Sequence, residues 1–318
     1  MTVVTDAVNR TLVKRRSQFV EFFRRLAKEK PLGTVGGVIV LLFLVLAVFA
    51  NFIAPYNPIQ SNLVDKLVGP SFSHLMGTDN LGRDMFSRVI YGARISLYVG
   101  LGASLLNVVI ATVIGLISGY VGGVFDLVVQ RFVDVALSIP SLVILITVIG
   151  VIGAGVWQII LVMGVIGGIL WTRVVRSAVI SIRENVYLQA SLSIGGTTPH
   201  IILRHVLPNI VPIMVIIYSV SIAGNILAEA GLGFLGLGIP PPTPTWGGLL
   251  SGEGRAYMHE AWWLAFFPGL ALTIIVYGVN MWGDAVRDIL DPRLRGGIGR
   301  YGTAVKSVSA LAKSHENR

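Results

Sequence analysis

Residues 187–210 read YLQASLSIGGTTPHIILRHVLPNI. The run is the most polar in the second half of the membrane-like part of the chain, and long apolar blocks flank it on both sides. Its residues predict two short helices meeting at a glycine corner. Asn185 is placed to cap a helix over 186–194, and Gly195 and Gly196 stop it. Thr198 caps a second helix, with Pro199 at its first position, where a missing amide hydrogen costs nothing. Pro208 closes that helix. Ala190, Ser191 and Ser193 keep the first one narrow. A narrow projection with few charges suits entry into a partner's groove. The same residues also suit a simple elbow tucked against a membrane.

The flanking blocks set the class. Only 13% of the 318 residues are charged and the mean hydropathy is +0.77, against about 25% charged in soluble domains. Charge-free runs cover 22 residues over 33–54, 31 over 95–125, 38 over 135–172, 23 over 206–228 and 23 over 261–283. A span needs about 20 apolar residues. Splitting the longest run at Gly150, Gly153 and Gly155 gives six transmembrane helices, at 33–54, 95–119, 128–150, 156–174, 210–236 and 262–284. The expected fold is all-α, with the polar helix-turn-helix between helices four and five. No small-residue cleavage site follows the polar, basic start, so the first span is expected to be a retained anchor rather than a signal peptide. Cysteine is absent, which excludes disulfides and leaves the redox compartment unread.

The net charge of +9 does not call for nucleic acid. With the N-terminus inside, the cytosolic segments hold twenty Lys and Arg and the exterior ones five: Lys66, Arg83, Arg88, Arg94 and Arg255. That follows the positive-inside rule. Residues 1–32 then form a cytosolic basic N-terminus with an amphipathic stretch over 10–30, either a surface helix on the inner leaflet or a topological anchor. Residues 33–295 form the membrane domain, and 296–318 a polar cytosolic tail expected to be disordered.

Several side chains invite a functional reading. Arg131 and Asp134, three apart, neutralise each other at the membrane edge. Pro140 interrupts helix three and either bends it or lines a pathway. Gly115, Gly119 and Gly123 are spaced four apart, a stripe that lets backbones approach closely in lipid. Glu229 is an ionisable residue in a span, expected close to the outer interface, with a structural and a functional role both open. Asp79, Arg83 and Asp84 form an exterior cluster whose default is an ion-pair network. The prolines at 240, 241, 242 and 244 predict a stiff exterior projection, followed by interface tryptophans Trp246, Trp262 and Trp263. The G-x-G-x-x-G at 231–236 lacks a preceding strand and is no dinucleotide site. The five histidines show no metal-binding spacing, and no G-x-x-x-x-G-K-[ST] loop occurs.

Gln189-Ala190-Ser191, then Gly195, then Leu207-Pro208, resemble the E-A-A-x-x-x-G…L-P loop of ABC importer permeases, with Gln and Ser where that family usually has Glu and Ala. The resemblance implies that Tyr187, Gln189, Ala190, Ser191, Gly195, Gly196 and Pro208 belong to a surface that docks on an ATP-hydrolysing subunit. GTDNLGRDMFSRVIYGARISL at 77–97, LSIPSL at 137–142, RHVLPN at 204–209, GFLGLGIPPPTPTWGGLL at 233–250 and GDAVRDILDPRLR at 283–295 are similar to the C-type permease of dipeptide, oligopeptide and nickel importers. Membership would imply a non-catalytic subunit of a prokaryotic cytoplasmic membrane importer, with no cofactor of its own. It would pair with a B-type permease, two ATPases that bind ATP and magnesium, and an extracytoplasmic binding protein that delivers peptides. The alternative is a membrane receptor or enzyme that uses Asp79, Arg83 and Asp84.

Overall fold

Pro31 sits in the first turn of the first long helix, where its ring fixes a helical φ and no hydrogen bond is lost. The computed structural model describes residues 18–193 and 195–290. Its helices are α1 (Gln18–Glu29), α2 (Pro31–Val48), α3 (Ala50–Ile53), α4 (Met85–Val121), α5 (Gly123–Ser138), α6 (Ser141–Ile152), α7 (Val156–Arg183), α8 (Val186–Ser193), α9 (Thr198–Ile201), α10 (Leu207–Phe234), α11 (Trp246–Ser251), α12 (Glu253–Ala256) and α13 (Trp263–Leu290). Among the described residues no strand occurs. Five helices are long and apolar enough to cross a membrane: α2, α4, α7, α13, and α10 joined continuously to α9. The α5–α6 pair makes a sixth if its two halves count as one span.

The packing of α4 on α7 decides that count. A Cβ built on Gly102 would meet Ile160, one on Gly164 would meet Leu106, and one on Gly168 would meet Ile110. On Gly115 it would lie 2.8 Å from the Thr172 carbonyl oxygen and 2.8 Å from Val175, and on Gly119 2.9 Å from the Arg176 carbonyl oxygen. Partner numbers rise together, so the two helices run parallel at a distance only glycine permits. A parallel pair cannot be joined by a loop that returns to its starting face. Residues 122–155 must therefore cross the membrane, and α5–α6 is a broken span rather than a re-entrant loop. Its two halves meet at 88°, where Ile139 and Pro140 are extended with ψ of 130° and 127°.

The other long helices alternate. Ser96 reaches Glu229 and Asn225 reaches Ser104, so α10 is antiparallel to α4. Gly33 faces Ala285 and Gly36 faces Gly278, so α2 is antiparallel to α13. Leu26 of α1 is buried with Ala285 and Ile289, and Lys30 bridges Asp288 at 2.5 Å. The described N- and C-terminal ends thus share one face with the α7–α8 corner.

Several boundaries differ from those the sequence suggests, for identifiable reasons. Helix two begins at Met85 rather than 95, because its arginines are satisfied: Arg94 donates to the Ala47 carbonyl oxygen at 2.8 Å and the Val48 carbonyl oxygen at 3.1 Å, the open end of α2. Helix four runs to Arg183 rather than 174, since Arg173 and Arg176 pair with Asp134 and Asp126. Gly123 does not extend the Gly115 and Gly119 stripe. Gly122 and Gly123 have φ of 71° and 60°, and α4 ends there. Trp246 is no interface residue. It is fully buried, donates its indole hydrogen to the Val89 carbonyl oxygen at 3.0 Å, and meets Phe43 edge-on. The proline segment does not project freely, because Pro244 and Thr245 turn inward and are buried.

At the opposite face, residues from 55–84 and 235–262 pack into one cap over the helix ends. Its centre is Asp79, with no solvent exposure. Oδ2 of Asp79 accepts from Arg83 Nε at 2.6 Å and from Arg88 Nη1 at 2.8 Å, and Oδ1 accepts the backbone N–H groups of Leu81 and Arg83. Arg83 also donates to Glu253, 170 residues away. Asp84 caps α4 through the Ser87 N–H and hydroxyl, and contacts His74 Nδ1 at 3.0 Å. The carboxylates of the exterior cluster are thus occupied by structural partners. Burial pushes the Glu253 carboxyl above the usual carboxylate range, with Arg88 and Arg83 pulling against it.

Truncating one partner of a buried ion pair costs about 3–5 kcal/mol, because the other charge is stranded. Asp79→Ala, which strands two arginines, is expected to lower the denaturation midpoint of the detergent-solubilised chain far more than Glu253→Gln. The amide keeps an acceptor for Arg83 and sheds a desolvation cost. Equal losses in a thermal-shift series would show that Asp79 is not the centre of the cap.

Candidate functional site

The corner between α7 and α10 is built from its own backbone. Asn185 ends α7: its side-chain amide donates to the Ile182 carbonyl oxygen at 2.9 Å and the Ser181 carbonyl oxygen at 3.3 Å. It does not cap the following helix through its side chain, as its place in the sequence suggests. Only Leu188 of α8 is buried, at 1% exposure. It packs with Val175, Val179, Ile201, Val206 and Ile210. Val186, Tyr187, Gln189, Ala190 and Leu192 face outward. Gly196 N–H bonds the Ser191 carbonyl oxygen at 2.9 Å, and Gly195 N–H bonds that of Leu192 at 3.0 Å. With Gly195 at φ 88°, this is a Schellman stop, and an L side chain at 195 would be strained.

The second half departs from expectation. The cap residue is Thr197, one position before Thr198, with Pro199 in the first turn. Pro208 does not close the helix. Residues Ile202–Val206 form a π-helical stretch in which Leu207 N–H bonds the Ile202 carbonyl oxygen, and Pro208 falls in the first turn of α10. The wider π turn absorbs a proline that would break an α-helix. The corner is tied to α10 by Asn209, which donates to the His205 carbonyl oxygen at 2.6 Å and to the Tyr187 hydroxyl at 3.3 Å.

Other sequence-marked residues lie elsewhere. Arg131 is 73% exposed and 3.3 Å from Asp134, whose nearer partner is Arg173 of α7. With the Asp126–Arg176 pair, this pins α5 to α7 above the Pro140 break. Glu229 is fully buried within the protein, five residues before the end of α10. Ser96 donates to its Oε2 at 2.9 Å, and among the described residues its Oε1 has no partner. Among these residues no group of His, Asp or Glu is arranged to hold a metal ion.

A neutral polar set carries no charge to mark it in the sequence. Asn225 Nδ2 donates to Ser104 Oγ at 2.9 Å. With its amide oxygen turned toward Asn225, Asn107 accepts from Nδ2 at 3.0 Å and donates to the Gly164 carbonyl oxygen at 2.8 Å. These amides join α4, α7 and α10, and a scan for Asn and Ser inside charge-free runs would have found them.

The family described as binding-protein-dependent transport system inner membrane component matches residues 111–296. The N-terminal transmembrane domain of oligopeptide transport permease C matches residues 17–70. The chain is 37% identical over 279 residues to the dipeptide transport system permease protein DppC of Alkalihalophilus pseudofirmus, covering 88% of this chain and 91% of that one. It is 38% identical over 282 residues to the glutathione transport system permease protein GsiD of Escherichia coli O6:K15:H31, covering 88% and 92%. A solved structure of the MetNI methionine ABC transporter, facing inward, shares the fold with a TM-score of 0.54 at 18% identity, covering 65% of this chain and 98% of that chain. The chain belongs to the binding-protein-dependent transport system inner membrane components, as a C-type permease subunit of an ABC importer.

Proposed function

We propose that this permease forms half of a peptide path and that its α8 corner takes the stroke of an ATPase. The observation that carries the reading is the mechanical build of the corner. A short helix with an exposed face of Tyr187, Gln189 and Ala190 is held by one buried leucine and a glycine stop between two membrane helices. Such a corner moves as a rigid piece with both helices. The relatives named for dipeptide and glutathione transport support short peptides as cargo.

The full assembly comprises this chain, a B-type permease, two ATP-binding subunits that hold ATP and magnesium, and an extracytoplasmic binding protein. The permease hydrolyses nothing itself. The twenty-to-five distribution of Lys and Arg supports a cytosolic corner, cytosolic termini and an exterior cap. The basic N-terminus, 1–32, and the tail, 296–318, flank the membrane domain, 33–295.

Ala190→Arg puts a bulky charge on the exposed face. Gly195→Pro forbids the positive φ and removes the N–H that bonds Leu192. Both variants are expected to insert normally and to retain less than about a tenth of the co-purifying ATPase, a loss above roughly 1.4 kcal/mol. Wild-type recovery with both would sink the docking role. In proteoliposomes, omission of the ATPases is expected to abolish uphill peptide uptake. Uptake that persists without them would mean an ion-coupled carrier.

A further inference from the structure

A cavity of about 330 Å³ opens between α4, α6, α7 and α10. Its wall includes Asn107, Ser141, Trp171, Ser221, Gly224 and Asn225, and no charged side chain. Three features set it apart from a packing defect. Ser221 is only 6% exposed, yet among the described residues its hydroxyl has no partner. An unsatisfied buried hydroxyl in a span is costly unless something visits it. Asn225 spends its amide nitrogen on Ser104 and Asn107, and among the described residues nothing donates to its Oδ1. Ser141 begins α6 behind Pro140, whose side chain offers no cap, so its amide hydrogen has no intrahelical acceptor. The α10 wall therefore presents an unpartnered hydroxyl at Ser221 and an unspent amide oxygen at Asn225, and the uncapped start of α6 at Ser141 lines another side of the same cavity.

Gly224 completes the shape. A Cβ built there would meet nothing within 4 Å, so glycine is not required by packing and leaves open room in the wall. In a helix interior glycine costs up to about 1 kcal/mol relative to alanine, a cost that local packing here does not explain.

We infer that the cavity around Ser221, Gly224 and Asn225 is a transient binding site for the main-chain amides of a peptide in transit. A peptide unit carries one N–H donor and one C=O acceptor, the complement of this wall, and each occurs in every peptide whatever its side chains. The absence of charged groups from the wall means that side-chain charge is not read here. The inference rests on the reading above that the chain is half of a peptide path, and it names the residues that touch the cargo.

The test uses the complete importer in proteoliposomes, with a radiolabelled dipeptide carried by its binding protein. ATP-driven uptake by the wild type tests the importer reading by itself, and the ratio of variant to wild type tests the cavity. Ser221→Ala is expected to lower uptake about two- to tenfold, the loss of one hydrogen bond. Hydrolysis stimulated by the liganded binding protein should persist. A structural role predicts no change, because that hydroxyl has no protein partner among the described residues. Gly224→Trp is expected to lower uptake more than tenfold while the complex still assembles.

Should the tryptophan variant fail to assemble, Gly224→Cys decides, with the other subunits made cysteine-free. Its thiol is expected to react with a small methanethiosulfonate reagent, more slowly when dipeptide and ATP are turning over, and the reaction should block uptake. The exposed control Leu41→Cys, on α2 and away from the cavity lining, should not block it. Wild-type uptake by Ser221→Ala, together with a Gly224→Cys thiol that is unreactive or harmlessly modified, would overturn the proposal.

Discussion

The parallel contact of α4 with α7 governs the rest of the fold. In lipid there is no hydrophobic force between helices, so association depends on close packing and shared polar contacts. Gly115 and Gly119 bring α4 against the Thr172 and Arg176 carbonyl oxygens. Once these helices run side by side in one direction, the intervening chain has to cross. Six crossings follow, both described ends fall on one face, and the α7–α8 corner falls on that face too. The crossing itself is broken at Pro140, where the half-helices lie at 88°. Asp126 and Asp134 hold its first half to α7 through Arg176 and Arg173. The second half starts at Ser141, which lines the cavity and has no side-chain cap before it.

The spans are legible as charge-free runs, and splitting the longest run at its glycines yields the same six crossings. The differences come from treating charge as a boundary. A charge ends a span only when nothing neutralises it, and that is a tertiary fact. Arg88 lies inside α4 because Asp79 accepts its hydrogen bond, and Arg94 because the end of α2 supplies carbonyl oxygens. Glu253, which completes the cap, stands 170 residues from Arg83, and no local pattern links them. The sequence does not show how Trp246 and Glu229 are covered, for the related reason that hydropathy does not say which face of a segment is packed. Both are fully buried by neighbours.

At the corner, the glycine stop is legible because its chemistry is local: Gly195 supplies a positive φ at the turn. Pro208 is not, because the rule that proline ends helices ignores the π turn. Five residues with a wider ring, Ile202–Val206, carry the helix past the proline. The result is one continuous helix rather than two helices and a hinge. α9, the π stretch and α10 form one continuous rod, and α8 hangs from its base by Leu188 and Tyr187.

The continuity of that rod connects the two halves of the proposed function. α7 and α10 end at the corner, and they also carry most of the cavity wall, with Trp171 on one and Ser221, Gly224 and Asn225 on the other. A displacement of α8 cannot be absorbed in a loop, since Leu188 is locked among residues of both helices. Under the proposed function it is carried into the spacing of α7 and α10, which sets the width of the cavity. The Asn107–Asn225 amides span α4 and α10, and Asn107 also holds the Gly164 carbonyl oxygen of α7. They are hydrogen bonds between neutral groups, individually worth about 1 kcal/mol, weak enough to exchange for a passing amide when the helices move. Buried ion pairs in the same place would cost several kcal/mol to open, and the structure keeps its buried pairs at the cap, away from that wall.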